Sequence, residues 1–224
     1  MDAVWREARS LLSAQGIRTL PETLSHDIPY RELFNFKELT LSQCCGLDLC
    51  RPHARHVVPI AAPDMTALDV SKGCYFSYIV TGKSANMDSP RVVINNHCSH
   101  SGHTAIKIWL AANGYGEVSI FESGSHAQSL LALREGRADL AAIDALSWLH
   151  LDSTGITIID QSDPAPAPPF IVGNQTRVPK EALIEALNSG FERFGAPVGI
   201  GGVLPVSADD YVEMAKIAAE QGIR

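Results

Sequence analysis

Asn95-Asn96-His97-Cys98-Ser99-His100-Ser101-Gly102-His103-Thr104-Ala105 is a polar stretch set between the apolar run Val92–Ile94 and a segment with helical spacing. Ala105, Ile108, Trp109 and Ala112 keep the i, i+3, i+4, i+7 pattern of a helix with one buried face. A strand that runs through a Ser/Gly turn into a helix leaves the first N–H groups of that helix without partners. The hydroxyls of Ser99, Ser101 and Thr104 stand beside those groups. Exposed donors and the helix dipole both favour negative charge, so the turn reads as an anion site.

Working outward, the periodicity switches repeatedly between strand and helix. Val92–Ile94, Val118–Phe121, Leu140–Ile143 and Ile156–Ile159 read as strands. Gly102–Ala112, His126–Arg134 and Ala145–Leu151 read as the helices between them. That alternation predicts parallel βαβ units with right-handed crossovers. Upstream, Asp2–Gln15 reads as an amphipathic helix closed by Gly16, and His56–Ala61 and Cys74–Val80 read as strands. Downstream, Pro179 opens a helix over Lys180–Phe194, and Ser207 with Asp210 caps a last helix ending at Gly222. The polar stretch Thr81–Pro90 and the proline-rich stretch Pro164–Pro169 look like connectors. The expectation is therefore an α/β chain of two lobes, residues 1–84 with 170–224 and residues 85–169, joined by two crossover segments.

Three strand ends of the middle lobe carry polar groups: the Ser99–His103 turn, Glu122-Ser123-Gly124-Ser125-His126, and Asp144. In open parallel sheets, ligands bind outside the carboxyl ends of the strands, where these groups converge. Each has a structural reading too. Ser125 and Gln128 form an S-x-x-Q capping pattern, and Asp144 is placed to cap the short helix that follows it.

Composition narrows the function. The chain has 224 residues and a formal net charge of −7, which gives no footprint for nucleic acid or an acidic membrane. No apolar run approaches the roughly 18–20 residues of a membrane span, so no membrane insertion is expected. The N-terminal helix does not read as a secretory leader, which puts the chain as written in the cytoplasm, or in the periplasm if a leader has been removed. Five cysteines, Cys44, Cys45, Cys50, Cys74 and Cys98, follow neither a disulfide framework nor a zinc pattern. His97, His100, His103 and His126 lack the i, i+4 spacing of a helical metal site, and neither metal nor cofactor is expected.

Four stretches, with a proline crossover, then resemble a known family. Leu41-Ser42-Gln43-Cys44-Cys45-Gly46 resembles an L-x-Q-T-C-G turn, with Cys44 at the usual Thr, and Gly73–Val80 resembles a G-C-x-Y-x-S-x-x-V strand. Asn95-Asn96 with Ser99-His100-Ser101-Gly102 is similar to an N-D-x-x-S-x-S-G phosphate turn. Gly124-Ser125-His126, followed by Glu135–Asp139 and Ala141–Asp144, is similar to a G-S-H…G-x-A-D-x-A-A-I-D block, and Pro166–Phe170 to a P-A-x-P-F crossover. In this order they resemble the phosphate/phosphonate-type (PhnD-like) substrate-binding proteins of ABC transporters. The resemblance implies a type 2 periplasmic-binding-protein fold, two α/β lobes that close on a small ligand, and an ABC permease as partner. It implies that Ser99, His100, Ser101, Gly102 and His103 hold an oxyanion group, with Ser125, His126 and Asp144 beside them. Gln43, Cys45, Tyr75 and Ser77 would face them from the first lobe. The family pattern also places a strand before the first helix, and this chain starts inside that helix, so the expectation is either a truncated sequence or a first lobe that lacks one strand.

Two other readings use the same residues. An enzyme on this fold, of the kind used in pyrimidine-precursor synthesis, would employ Cys44/Cys45 and the histidine cluster. A leaderless cytosolic sensor would keep the binding fold without a transporter.

Overall fold

The computed structural model describes residues 1–223. In chain order the helices are α1 (Asp2–Ala14), α2 (Gly46–Leu49), α3 (Ala105–Ala112), α4 (His126–Arg134), α5 (Ala145–Trp148), α6 (Lys180–Phe194) and α7 (Val212–Glu220). The strands are β1 (Ser42–Gln43), β2 (Val57–Asp64), β3 (Cys74–Tyr75), β4 (Ser77–Gly82), β5 (Arg91–Ile94), β6 (Ser119–Glu122), β7 (Leu140–Asp144), β8 (Ile156–Gln161), β9 (Ala165–Pro166), β10 (Phe170–Gly173) and β11 (Gly202–Pro205).

The chain divides into two compact units. Unit 1 is Met1–Cys74 with Pro166–Ala215, and unit 2 is Tyr75–Ala165 with the stretch that starts at Lys216. The crossings fall at 74/75 and 165/166 rather than at the expected 84/85 and 169/170, and the chain crosses a third time at 215/216, so the stretch from Lys216 leaves the lobe expected to hold 170–224. At the first crossing the physical reason is β4, which pairs with β7 and β8 and so belongs to the sheet of unit 2. The polar stretch after it is a loop within that unit rather than a connector between units.

In unit 1 an antiparallel sheet of order β1-β10-β2-β11 carries α6, and α1 packs along α6. α1 buries Val4, Trp5, Ala8 and Leu12, and α6 buries Leu183, Ala186, Leu187 and Phe191, the spacing of two facing apolar stripes. Each large side chain so buried contributes about 1.5–3 kcal/mol. Gly190 sets the distance: a Cβ there would come within 2.8 Å of the Val4 carbonyl oxygen.

Unit 2 is built around the sheet β6-β5-β7-β4-β8, with β5 parallel to β6 and β7 and β4 antiparallel to β7 and β8. The parallel βαβ expectation therefore holds for the three strands that carry the polar ends. Both faces are covered. Val92, Ile94, Leu140 and Ala142 pack with Ile106 and Leu110 of α3. Val93, Ala141 and Ile143 pack with Leu130 and Leu133 of α4. That two-sided burial is why β5 and β7 read as unbroken apolar runs.

Arg91 and Asp139 tie the starting ends of β5 and β7. Asp139 accepts from the Arg91 backbone N–H at 2.8 Å, from Arg91 Nε at 2.8 Å and from the Asn86 N–H at 3.1 Å. The Arg91 side chain and these amides hold the Asp139 carboxyl down at about 2.

Candidate ligand-binding site

At the carboxyl end of β5 the chain does not enter an α-helix directly. His100–Thr104 forms a π-type turn, and α3 follows from Ala105. The Ser99 carbonyl accepts from the N–H groups of His103 at 3.3 Å and Thr104 at 3.1 Å and from Thr104 Oγ1 at 3.4 Å, which widens the turn. Ser99 caps it, its Oγ accepting from the Gly102 N–H at 3.0 Å. Among the described residues the N–H groups of His100 and Ser101 make no hydrogen bond within the protein.

Gly102 is buried, and a Cβ there would fall on Asn95 Oδ1. Asn95 is thus part of the cradle, although the sequence reading placed it only in the motif and not among the site residues. Its position, directly after a strand and seven residues before a glycine, was the available signal.

Ser99 Oγ lies 3.3 Å from Ser101 Oγ, and Ser101 Oγ lies 3.1 Å from His126 Nε2. His126 opens α4, and the same Nε2 lies 3.3 Å from Asp144 Oδ2 and 3.3 Å from Asn95 Nδ2. Asp144 ends β7, and its other oxygen accepts from the Ser147 N–H at 2.8 Å, capping α5. Three strand-end loops therefore meet at one imidazole nitrogen. Burial pushes the His126 pKa below its ordinary value, and the Asp144 charge works against that shift.

His100 is buried, its Nδ1 lies in the interior without a partner, and burial lowers its pKa to about 4. Its ring centroid is 6.3 Å from that of Tyr75. Ser77 is buried and stands opposite Asp144 in the β4–β7 register. The structure thus places Tyr75 and Ser77 in the same unit as the turn, not in the first lobe as expected. His103 turns outward: its Nδ1 pairs with the His97 carbonyl at 2.9 Å, and burial lowers its pKa. Ser125 is exposed and its Oγ caps the Gln128 N–H at 3.2 Å.

Gln43 and Cys45 belong to unit 1. Gln43 Nε2 donates to the Pro168 carbonyl at 2.9 Å, and the Cys45 N–H donates to Tyr30 Oη at 2.9 Å. Tyr30 Oη in turn donates to the buried Asp48 carboxylate at 2.5 Å. Cys44 is buried, and burial raises its thiol far above the usual range, so it is not a ready nucleophile. Among the described residues no group of three or more His, Cys, Asp or Glu is arranged to hold a metal ion.

The order of groups resembles a Ser–His–Asp relay, but the geometry differs. Ser101 and Asp144 both approach Nε2, whereas a relay holds the carboxylate on Nδ1.

The family described as the periplasmic substrate-binding protein of phosphonate ABC transporters matches residues 30–211, which include every element of this site. The chain belongs to that family. Among solved structures, PhnD1 of Prochlorococcus marinus in complex with methylphosphonate is 14% identical, with a TM-score of 0.71 over 99% of this chain and 94% of that one. A binding-protein component of a phosphonate ABC transporter from Pseudomonas aeruginosa is 13% identical, with a TM-score of 0.71 over 98% and 81%. A Xanthomonas citri protein bound to ATP is 12% identical, with a TM-score of 0.66 over 99% and 94%. At these identities the likeness is one of fold, the periplasmic-binding-protein fold. No curated protein sequence matches the chain. As a member of the phosphonate-binding family the chain is a solute-binding protein and not an enzyme, and membership implies a small ligand and a permease partner. No helix among the described residues is long and apolar enough to cross a membrane.

Proposed function

We propose that the chain captures a small oxyanion-bearing ligand, phosphate- or phosphonate-like, on the Ser99–Thr104 turn and presents it to an ABC permease. One observation carries this reading. The two free N–H groups of His100 and Ser101 lie beside the Ser99 and Ser101 hydroxyls at the start of a continuous thirteen-residue turn and helix, His100–Ala112. Amides and hydroxyls held by their own backbone bind an anion without first paying to order long side chains. Ser99, His100, Ser101 and Gly102 supply the cradle, and His126 and Asp144 read the ligand from the next two strand ends. Tyr75 and Ser77 close the same end of the sheet. His103 and Ser125 act through the backbone they anchor. Gln43 and Cys45 bond within unit 1 and take no part in this proposal.

The test is thermal unfolding with inorganic phosphate and with methylphosphonate against sodium chloride. A ligand at about 100 times its Kd adds about 2.7 kcal/mol, which for a chain of this size raises Tm by roughly 5–10 °C. The double variant Ser99→Ala/Ser101→Ala is expected to lose that rise. An unchanged rise in the double variant places the ligand elsewhere.

A further inference from the structure

The sheet of unit 1 ends at β1, and one side of that strand is open. Ser42 and Gln43 stand opposite Ile171 and Phe170 of β10, and the Cys44 N–H donates to the Pro169 carbonyl at 3.1 Å. Bonding alternates along an antiparallel ladder, so Ser42 and Cys44 turn to β10, while Leu41 and Gln43 turn their backbone N–H and C=O groups to the open side. An edge of this kind is a template for a further strand, and proteins cover or interrupt such edges.

A groove of about 390 Å³ runs along the same edge. The whole stretch Leu39–Gln43 forms one wall, and Trp5 of α1, Leu24, Ile28 and Leu33 stand around the rest. Met1 and Ile28 are 46% and 38% exposed there, which is unusual for large apolar side chains that line one groove. No Asp, Glu, Lys or Arg lines it. Between α1 and β1 the chain forms a 3-10 turn, Tyr30–Asn35, and no strand, so this segment walls the groove without pairing with the edge.

We propose that this edge takes a strand from a partner protein. The strand is an uncharged, extended segment of about four or five residues, apolar at every second position. Its backbone pairs with Leu41 and Gln43, and its apolar side chains lie against Trp5, Leu24 and Ile28. The edge decides the chemistry of the occupant. Donors and acceptors on it recur at every second residue, about 6.6–7 Å apart, which is the repeat of another backbone. A lipid chain or a small apolar molecule would leave those groups covered without partners, at a cost. A second copy offers in its own β1 only Ser42 and Gln43, too short a strand to fill the length of Leu39–Gln43. Main-chain pairing then supplies affinity, and the apolar wall supplies the choice of side chain.

The probes are three acetylated and amidated peptides, Lys-X-Thr-X-Thr-X-Lys, with valine, leucine or phenylalanine at X. Each is titrated into the full chain and followed by tryptophan emission and by the amide shifts of Leu41 and Gln43. At least one is expected to bind and to move both amide signals. Methyl groups on the backbone nitrogens of alternate residues then separate the two sides of the bound peptide. One set is expected to weaken binding about tenfold or more, because paired N–H groups are lost, and the other to leave it within about twofold. Ile28→Asp, at an exposed position, is expected to abolish binding with an unchanged circular dichroism spectrum. No binding by any of the three peptides, equal losses from the two sets of methyl groups, or full binding to Ile28→Asp overturns the proposal. A dimer of the chain that Ile28→Asp dissociates overturns it too, because a second copy then holds the edge.

Discussion

Gly102 carries no side chain because Asn95 already occupies that space. Replacing it by alanine pushes a methyl group into a buried amide next to the cradle, at a cost of about 1–3 kcal/mol. Gly102→Ala is expected to lower the urea midpoint and to abolish the thermal response to methylphosphonate. An unaltered response would mean that the turn does not contact the ligand. At the opposite end of the same strand Asp139 makes a testable contribution of another kind. Its carboxyl is held near 2 in the folded chain and titrates near 3.9 when unfolded. A group whose folded value is depressed stabilises at higher pH, so this contribution is present above about pH 4 and is lost as pH falls toward 2. The difference is worth about 2 kcal/mol, and Asp139→Asn is expected to remove it at pH 7 and to flatten the acid limb of the urea midpoint against pH.

Among the elements, the π-type turn His100–Thr104 matters most. Such widened turns are uncommon and cluster at functional sites. Its Ser99 cap makes a separate prediction: Ser99→Ala is expected to cost about 1 kcal/mol of stability even without ligand. Inside the turn, His100 stays neutral down to about pH 4, whereas the unfolded chain takes up its proton near 6.5. The unfolded state thus binds more protons between those values, and stability falls as pH drops from about 6.5 to 4. His100→Phe is expected to flatten that segment of the stability curve, measured by denaturant titration. The helices and strands were legible because their apolar spacing is set by burial, as in α1, α6, β5 and β7. The π register was not, since a shift of one residue in hydrogen bonding leaves the sequence pattern unchanged. The place of β4 was hidden for a related reason: alternating Tyr75, Ser77 and Ile79 mark a strand, but nothing in them states which sheet it joins. Of the site, the serines, His126 and Asp144 were legible by motif, whereas their meeting at one nitrogen depends on strand order.

For the whole molecule, charge and ligand are of the same sign. The chain carries −7 and the proposed ligand is an anion. A site of Lys and Arg loses affinity as salt screens it, but amides and hydroxyls do not draw on long-range attraction. Methylphosphonate affinity is expected to change by less than about twofold, or to rise, between about 0.05 and 0.3 M potassium chloride, where the Debye length shrinks from about 14 to 6 Å. A steep fall would point to a basic surface outside the turn. Each unit has its own sheet and core. Gly190→Ala, which drives a methyl group toward the Val4 carbonyl in unit 1, is expected to cost about 1–3 kcal/mol.

The clamp between Arg91 and Asp139 grips β5 and β7 at one edge of the sheet, while Asn95 and Asp144 stand at the other, four or five residues and about 13–17 Å away. Strands this short behave as rigid levers. A pin at one end therefore helps to hold the register in which Asn95 and Asp144 stand at the other. Under the function proposed above, the register of the residues beside the turn is thus held in part from the far end of the strands, by two residues that lie outside the site.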